Sequence, residues 1–187
     1  RSSDLPRQAA AEAFSAIADL ISNQFDYPKS LFDQIWEDRL YASEHNSGGR
    51  NGLVSDMIKL GKVKSARILS DLTLNQSLAE ISLAIDFQGK GKPIILFNSL
   101  MWPRTDVAEV QLEFSKEEQF RLRIVDESGE DVRFQIVQIS HFADGSIKQC
   151  RVLLSVDMPA CGYRTFYCQD ELPEIEQEPV LVHQGGA

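Results

Sequence analysis

Leu83-Ala84-Ile85-Asp86-Phe87-Gln88-Gly89-Lys90-Gly91-Lys92-Pro93-Ile94-Ile95-Leu96-Phe97 is the stretch across which the hydrophobic period of the chain changes. Before Asp86, apolar residues return every three or four positions, the spacing of helices that each bury one stripe. Gly89-Lys90-Gly91 is a turn signal. After it, Ile94-Ile95-Leu96-Phe97 is a short apolar run of buried-strand type, and beyond that the period is two. The fold class that follows is α+β in two modules, a three-helix bundle and then an antiparallel β-sandwich.

Three helical patterns lie upstream, over residues 1–86. In the first, Ala10, Ala13, Phe14, Ile17, Leu20 and Ile21 form one stripe, and Pro6 suits the first turn of a helix capped near Asp4. Tyr27-Pro28 breaks that run. Ser30 followed by Asp33 reads as a capping signal for a second helix with Phe32, Ile35, Trp36 and Leu40 inward. Asn46-Ser47-Gly48-Gly49 favours turns, so this helix should stop near His45. The third pattern runs from about Leu53 to Ile85 through Met57, Ile58, Ile68, Leu69, Leu72, Ala79 and Leu83, weakened locally by Gly61. Three helices with one apolar stripe each make a small bundle.

Residues 92–170 read as strands. Val107, Glu109, Gln111 and Glu113 alternate with Ala108, Val110, Leu112 and Phe114, a half-buried strand with one wet face. Leu122 and Ile124, the turn Asp126-Glu127-Ser128-Gly129, and Val132, Phe134 and Ile136 read as a hairpin. Ala143-Asp144-Gly145-Ser146 is a second turn before a strand from Gln149 to Val156, and Tyr163-Arg164-Thr165-Phe166-Tyr167 is the last strand. About six strands with short turns and no helix between them predict an antiparallel sandwich. After Arg164 there is no Lys or Arg, while Glu171, Glu174, Glu176 and Glu178 follow with Pro173 and Pro179. Residues 171–187 therefore read as an exposed acidic connecting segment.

Composition narrows the function classes. With 43% hydrophobic and 25% charged residues, the 187-residue chain can bury a core, and a disordered or collagenous polymer is excluded. Lys and Arg number 19 against 28 Asp and Glu, a net charge of −9, which argues against a nucleic-acid surface. The longest uncharged apolar region, Pro93 to Pro103, has 11 residues. A spanning helix needs about 20, so no membrane partner is expected. Cys150, Cys161 and Cys168 lack metal-ligand spacing and read as small hydrophobes on or near strands, with one disulfide across neighbouring strands left open.

Few residues carry a chemical signal on their own. No G-x-S-x-G elbow is present, and Gly48-Gly49 lacks the Lys of a phosphate loop. His141 near a turn and His183 in the tail read as surface residues. His45 is different, because it follows Glu44 at a helix end before a Gly-rich turn. Spacing alone makes it a histidine that complements the helix dipole or a single metal ligand, where zinc takes about 3–4.

Two stretches together resemble a known family. One is Tyr27-Pro28 and the helix through Trp36, ending Leu40-Tyr41-Ala42-Ser43-Glu44-His45. The other is Phe97-Asn98-Ser99-Leu100-Met101-Trp102-Pro103-Arg104, closed by Pro159-Ala160-Cys161-Gly162-Tyr163-Arg164-Thr165. In this order they resemble the middle helical domain and following β region of glycoside hydrolase family 38 α-mannosidases, over roughly residues 5–170.

That resemblance implies a zinc-dependent retaining glycoside hydrolase acting on a mannoside or related glycoside. Most of its machinery would lie in an N-terminal β/α catalytic domain absent from these residues. Arg1 falls where that barrel has ended in the family, so the chain is expected to be part of a longer protein and inactive alone. In the family the helical domain contributes one zinc-ligand His at the end of its second helix, the position taken here by Glu44-His45. The next residue often touches substrate, which makes Asn46 the substrate-binding candidate. The chain departs from the family's Thr-Trp-Gly continuation, reading Asn46-Ser47-Gly48-Gly49. Asn98, Trp102, Arg104, Tyr163 and Arg164 read as residues that hold strand ends. The alternative is a non-catalytic carbohydrate- or protein-binding sandwich with a helical attachment element.

Overall fold

The computed structural model of the chain describes residues 4–44 and 52–170 and divides into two compact units between Asp86 and Phe87. In the first unit, α1 (Asp4–Ile21) and α2 (Lys29–Ser43) both pack on the long α3 (Gly52–Leu83). Three helices are thus present as predicted, but their buried faces coincide only in part with the predicted ones.

On α1 the buried side chains are Gln8, Ala10, Ala11, Phe14, Ser15 and Ala18, while Ala13, Ile17, Leu20 and Ile21 face outward. On α3 they are Ala66, Ser70, Thr73, Ser77 and Ile81, while Met57, Ile58, Ile68, Leu72 and Leu83 are exposed. Small side chains are buried because the α1–α3 contact is built on close approach. The hydroxyls bring no unpaired polar group with them. Ser70 Oγ donates to the Ala66 carbonyl at 2.7 Å, Thr73 Oγ1 to Leu69 at 2.8 Å and Ser77 Oγ to Thr73 at 2.7 Å. Ser77 has one hydroxyl proton, already given to Thr73, so its 2.7 Å contact with Ser15 Oγ has Ser15 as donor. A hydroxyl satisfied by its own helix packs much like a small apolar group.

On α2, Phe32 and Ile35 are buried as predicted, and Tyr27 stacks on Phe32 with ring centroids 5.1 Å apart. Trp36 and Leu40 are exposed, and Asp38 takes the inward place. Ser30 does not cap this helix. The cap position is Pro28, which makes no side-chain cap bond, and Asp33 instead pairs with Lys29 at 2.6 Å. The helix α3 runs unbroken through Gly61, at a cost of about 1 kcal/mol relative to alanine. A Cβ there would meet nothing within 4 Å among the described residues, so their packing does not require the glycine.

The second unit contains β1 (Lys92–Asn98), β2 (Arg104–Glu113), β3 (Arg123–Val125), β4 (Phe134–His141), β5 (Ile147–Met158) and β6 (Gly162–Gln169). They form two antiparallel three-stranded sheets of order β1-β6-β3 and β2-β5-β4. The core lies between inward residues such as Ile94, Ile124 and Phe166 of one sheet and Leu112, Val152 and Leu154 of the other. Along β5 the alternation is regular, with Cys150, Val152, Leu154, Val156 and Met158 buried. Gly91, at φ 98°, opens β1, and a side chain there would run into the Cys168 carbonyl.

The hairpin predicted over Leu122–Ile136 is corrected. Its turn exists: Val132 N donates to Ile124 O at 2.8 Å, and Val125 bridges Asp131. Beyond that bridge the arms part, β3 pairing with β6 and β4 with β5. The long ladder that β4 makes with β5 supplies more backbone hydrogen bonds than the short β3 can. Among the described residues no helix is long and apolar enough to cross a membrane. The acidic segment 171–187 lies outside the described residues.

Candidate functional site

His45 and Asn46, the two site residues picked from the sequence, follow directly on α2 and lie outside the described residues. The helix leading to them is held at its end. Glu44 leaves it in an extended conformation, φ −61° and ψ 139°, with its N–H given to Tyr41 O at 3.3 Å. Its carbonyl accepts from Lys59 Nζ of α3 at 2.5 Å. One turn and a half earlier, Asp38 accepts from Lys62 Nζ of α3 at 2.6 Å and from Gln34 Nε2 at 3.0 Å. Lys62 also lies 5.3 Å from the centre of the Tyr41 ring. These contacts fix how α2 exits toward residue 45.

The electrostatics of this clamp are one-sided. The hydrogen bond from Lys62 holds the Asp38 carboxyl below its ordinary range, against the opposing pull of burial. Asp38 in turn raises the Lys62 ammonium. A buried aspartate inside an amphipathic helix gives little warning in sequence; the available signal was Gln34 four residues before it, on the same face.

In the second unit, Asn98 is the best-connected of the motif residues. It is fully buried at the end of β1. Its Nδ2 donates to Trp102 O at 3.0 Å and Pro159 O at 2.7 Å, and its Oδ1 accepts from Leu100 N at 3.2 Å. One amide thus ties the β1–β2 connection to the turn between β5 and β6. Arg104 pairs with Asp106 at 3.0 Å, and Arg164 with Asp126 at 3.6 Å. Tyr163 tilts against Phe97, centroids 5.9 Å apart. Trp102, by contrast, is 58% exposed.

The remaining candidates stay apart. His141 ends β4 and is exposed, and His183 lies outside the described residues. Cys150 and Cys168 are buried, Cys161 is exposed, and all three are free thiols. Among the described residues, no three His, Cys, Asp or Glu side chains are grouped to hold a metal ion.

No family model matches this chain, and no curated protein matches it. Among solved structures it is similar to the crystal structure of a protein in glycosyl hydrolase family 38 from Enterococcus faecalis. The TM-score is 0.65 at 18% identity, and the match covers 92% of this chain and 24% of that one. The likeness is one of fold, and this chain spans about a quarter of the length of that protein.

Proposed function

We propose that this chain is the helical and β portion of a glycoside hydrolase resembling the α-mannosidases. The observation that carries the reading is the fold shared, along 92% of this chain, with part of a family 38 protein. In this account a β/α catalytic domain of the same protein supplies the two carboxylates of a retaining hydrolysis. His45 supplies one ligand to a zinc ion shared with that domain. One imidazole alone does not make a zinc site, so the remaining ligands would come from that domain. Bound zinc would orient the sugar by its hydroxyls. Asn46 would donate to and accept from a sugar hydroxyl, and as a neutral amide it would transfer no proton. The clamp of Asp38 and Lys62 would hold the end of α2 on which both residues follow.

Calorimetric titration with zinc tests the ligand account. The 187-residue chain is expected to bind zinc no tighter than micromolar, and tighter binding that persists in His45→Ala refutes it. The reaction class is tested on the protein that carries these residues together with a β/α domain. It is expected to release nitrophenol from nitrophenyl α-mannoside, and His45→Ala is expected to lower both zinc content and rate. A second reading, a carbohydrate-binding module, is favoured only by the exposed Trp102; quenching of Trp102 fluorescence by mannose oligosaccharides in the isolated chain would support it.

A further inference from the structure

We propose that a neutral sugar ring binds in the cavity between the start of β1 and the end of β6, held by Gln119, Asp170 and Lys92. The cavity measures about 410 Å³, within the range of small-molecule sites. Its walls include Gly91 and Lys92 at the entry of β1, Glu118 and Gln119 of the β2–β3 connection, and Asp170, which follows β6. Trp102 lies beyond the other end of β1, and the cavity does not include its ring. The cavity belongs wholly to the second unit and His45 to the first, so sugar binding here and a zinc-dependent reaction stand or fall separately.

The walls hold hydrogen-bonding groups that the fold does not use. Gln119 is 4% exposed, and both of its amide protons are committed, to the carbonyls of Arg121 and Gln169. Its Oε1 accepts from none of the described residues and is not sealed in the core, so it opens on the cavity. Asp170 Oδ1 accepts from Phe120 N at 2.8 Å and Arg121 N at 2.6 Å, while its Oδ2 has no such bond among the described residues. Lys92 Nζ donates to Glu113 O and lies 3.5 Å from Glu118 Oε1, which leaves one of its three protons. Two unused acceptors and one unused donor thus line one space. The charges around it select the ligand. An anion would meet Glu118 and Asp170, and a metal ion would meet the Lys92 ammonium, which already takes the cationic place beside Glu118. A hydroxyl donates, accepts and carries no charge. Neighbouring hydroxyls of a sugar can give protons to Gln119 Oε1 and Asp170 Oδ2 and accept one from Lys92 Nζ. Bonds to the two charged groups are the stronger kind.

The isotope-labelled chain, followed by amide NMR, is titrated with methyl α-mannoside, methyl α-glucoside and methyl α-galactoside. At least one of them should move the Gly91 and Gln119 signals with a Kd of about 1–20 mM. Asp170→Asn keeps Oδ1 for Phe120 and Arg121 but puts a donor where Oδ2 accepts. Lys92→Met keeps an apolar stem over the Phe114 ring and removes the ammonium. Each should weaken binding at least fivefold with the circular dichroism unchanged, and His45→Ala should leave it as it is. No response to any of the sugars at about 100 mM would overturn the proposal. So would equal affinity in both cavity variants, or shifts confined to the Trp102 end of the sandwich. Calcium chloride or inorganic phosphate that moved the same signals at lower concentration than the sugars would overturn the choice of a neutral ligand, and the proposal with it.

Discussion

Asp38 of α2 and Lys62 of α3 form an ion pair at 2.6 Å in which the carboxylate is buried and the ammonium reaches solvent. The arrangement suits the two groups, because lysine can bury its stem and keep its charge wet. The aspartate has no such freedom and depends on its partners.

That dependence has a pH sign. The folded-state pKa of Asp38 lies below the ordinary 3.8, so the unfolded chain takes up the proton first as pH falls. Its contribution to stability is complete above about pH 5 and is lost as pH drops through the lowered value. Asp38→Asn should therefore be less stable at neutral pH and should lose less on acidification than the natural chain. Some acid loss will remain, because Glu118, Asp126 and Asp144 are lowered too. Thermal melts from pH 3 to 7 measure the difference, and parallel curves for the two proteins would refute the role given to Asp38.

Asn98 should be the least replaceable polar side chain of the sandwich. Asn98→Ala leaves the part-buried hydrogen bonds of the Trp102 and Pro159 carbonyls and the Leu100 N–H without their partner, a loss of about 1–3 kcal/mol. Asn98→Asp keeps the shape but turns an oxygen toward the Trp102 and Pro159 carbonyls, and should be the worse of the two. Urea midpoints for the pair of variants rank them. If Asn98→Asp proved as stable as the natural chain, the amide would not be the tie described.

How much of this could be read in the sequence depended on whether the signal was local. Along β5 the alternation of Cys150, Val152, Leu154 and Val156 states directly which face is buried. Period locates the helices, and Ala10, Phe14, Phe32 and Ile35 are buried as it predicts; on α3 it points to the wrong face, because Ser70, Thr73 and Ser77 look polar in sequence. They are apolar in effect, since the carbonyls that satisfy them belong to their own helix. The turn at Asp126 was also visible, being stabilised by its own side chain through Ser128 N at 2.9 Å and Glu130 N at 3.1 Å. What followed was not, because β3 finds its partner in β6, far along the chain. The site residues His45 and Asn46 came from resemblance; the clamp at Asp38 that leads to them is a tertiary contact with no sequence motif.

The three thiols should separate by accessibility. Burial, and after it the nearby Cys150, pushes the Cys168 thiol up to about 12, and burial also raises Cys150. Only the thiolate reacts, so neither should be modified at pH 8 in the folded protein. Exposed Cys161 should react. Ellman titration is expected to count one thiol in native buffer and three in guanidinium; three fast thiols in native buffer would contradict the packing of this core.

The close α1–α3 contact makes a prediction opposite to what hydrophobicity alone suggests. Ala18 is fully buried against that contact, while Leu20, two residues on, is 83% exposed. Enlarging Ala18 to leucine adds apolar surface but has no space to occupy, and overpacking a tight interface costs about 1–3 kcal/mol. Truncating Leu20 to alanine removes a large hydrophobe that touches little, and should shift stability by no more than about 0.5 kcal/mol. Had α1 buried the stripe of Ala13, Ile17, Leu20 and Ile21, the two effects would exchange places, with Leu20→Ala costing about 2–5 kcal/mol. Thermal unfolding of the two variants followed by circular dichroism therefore decides which face of α1 is inside.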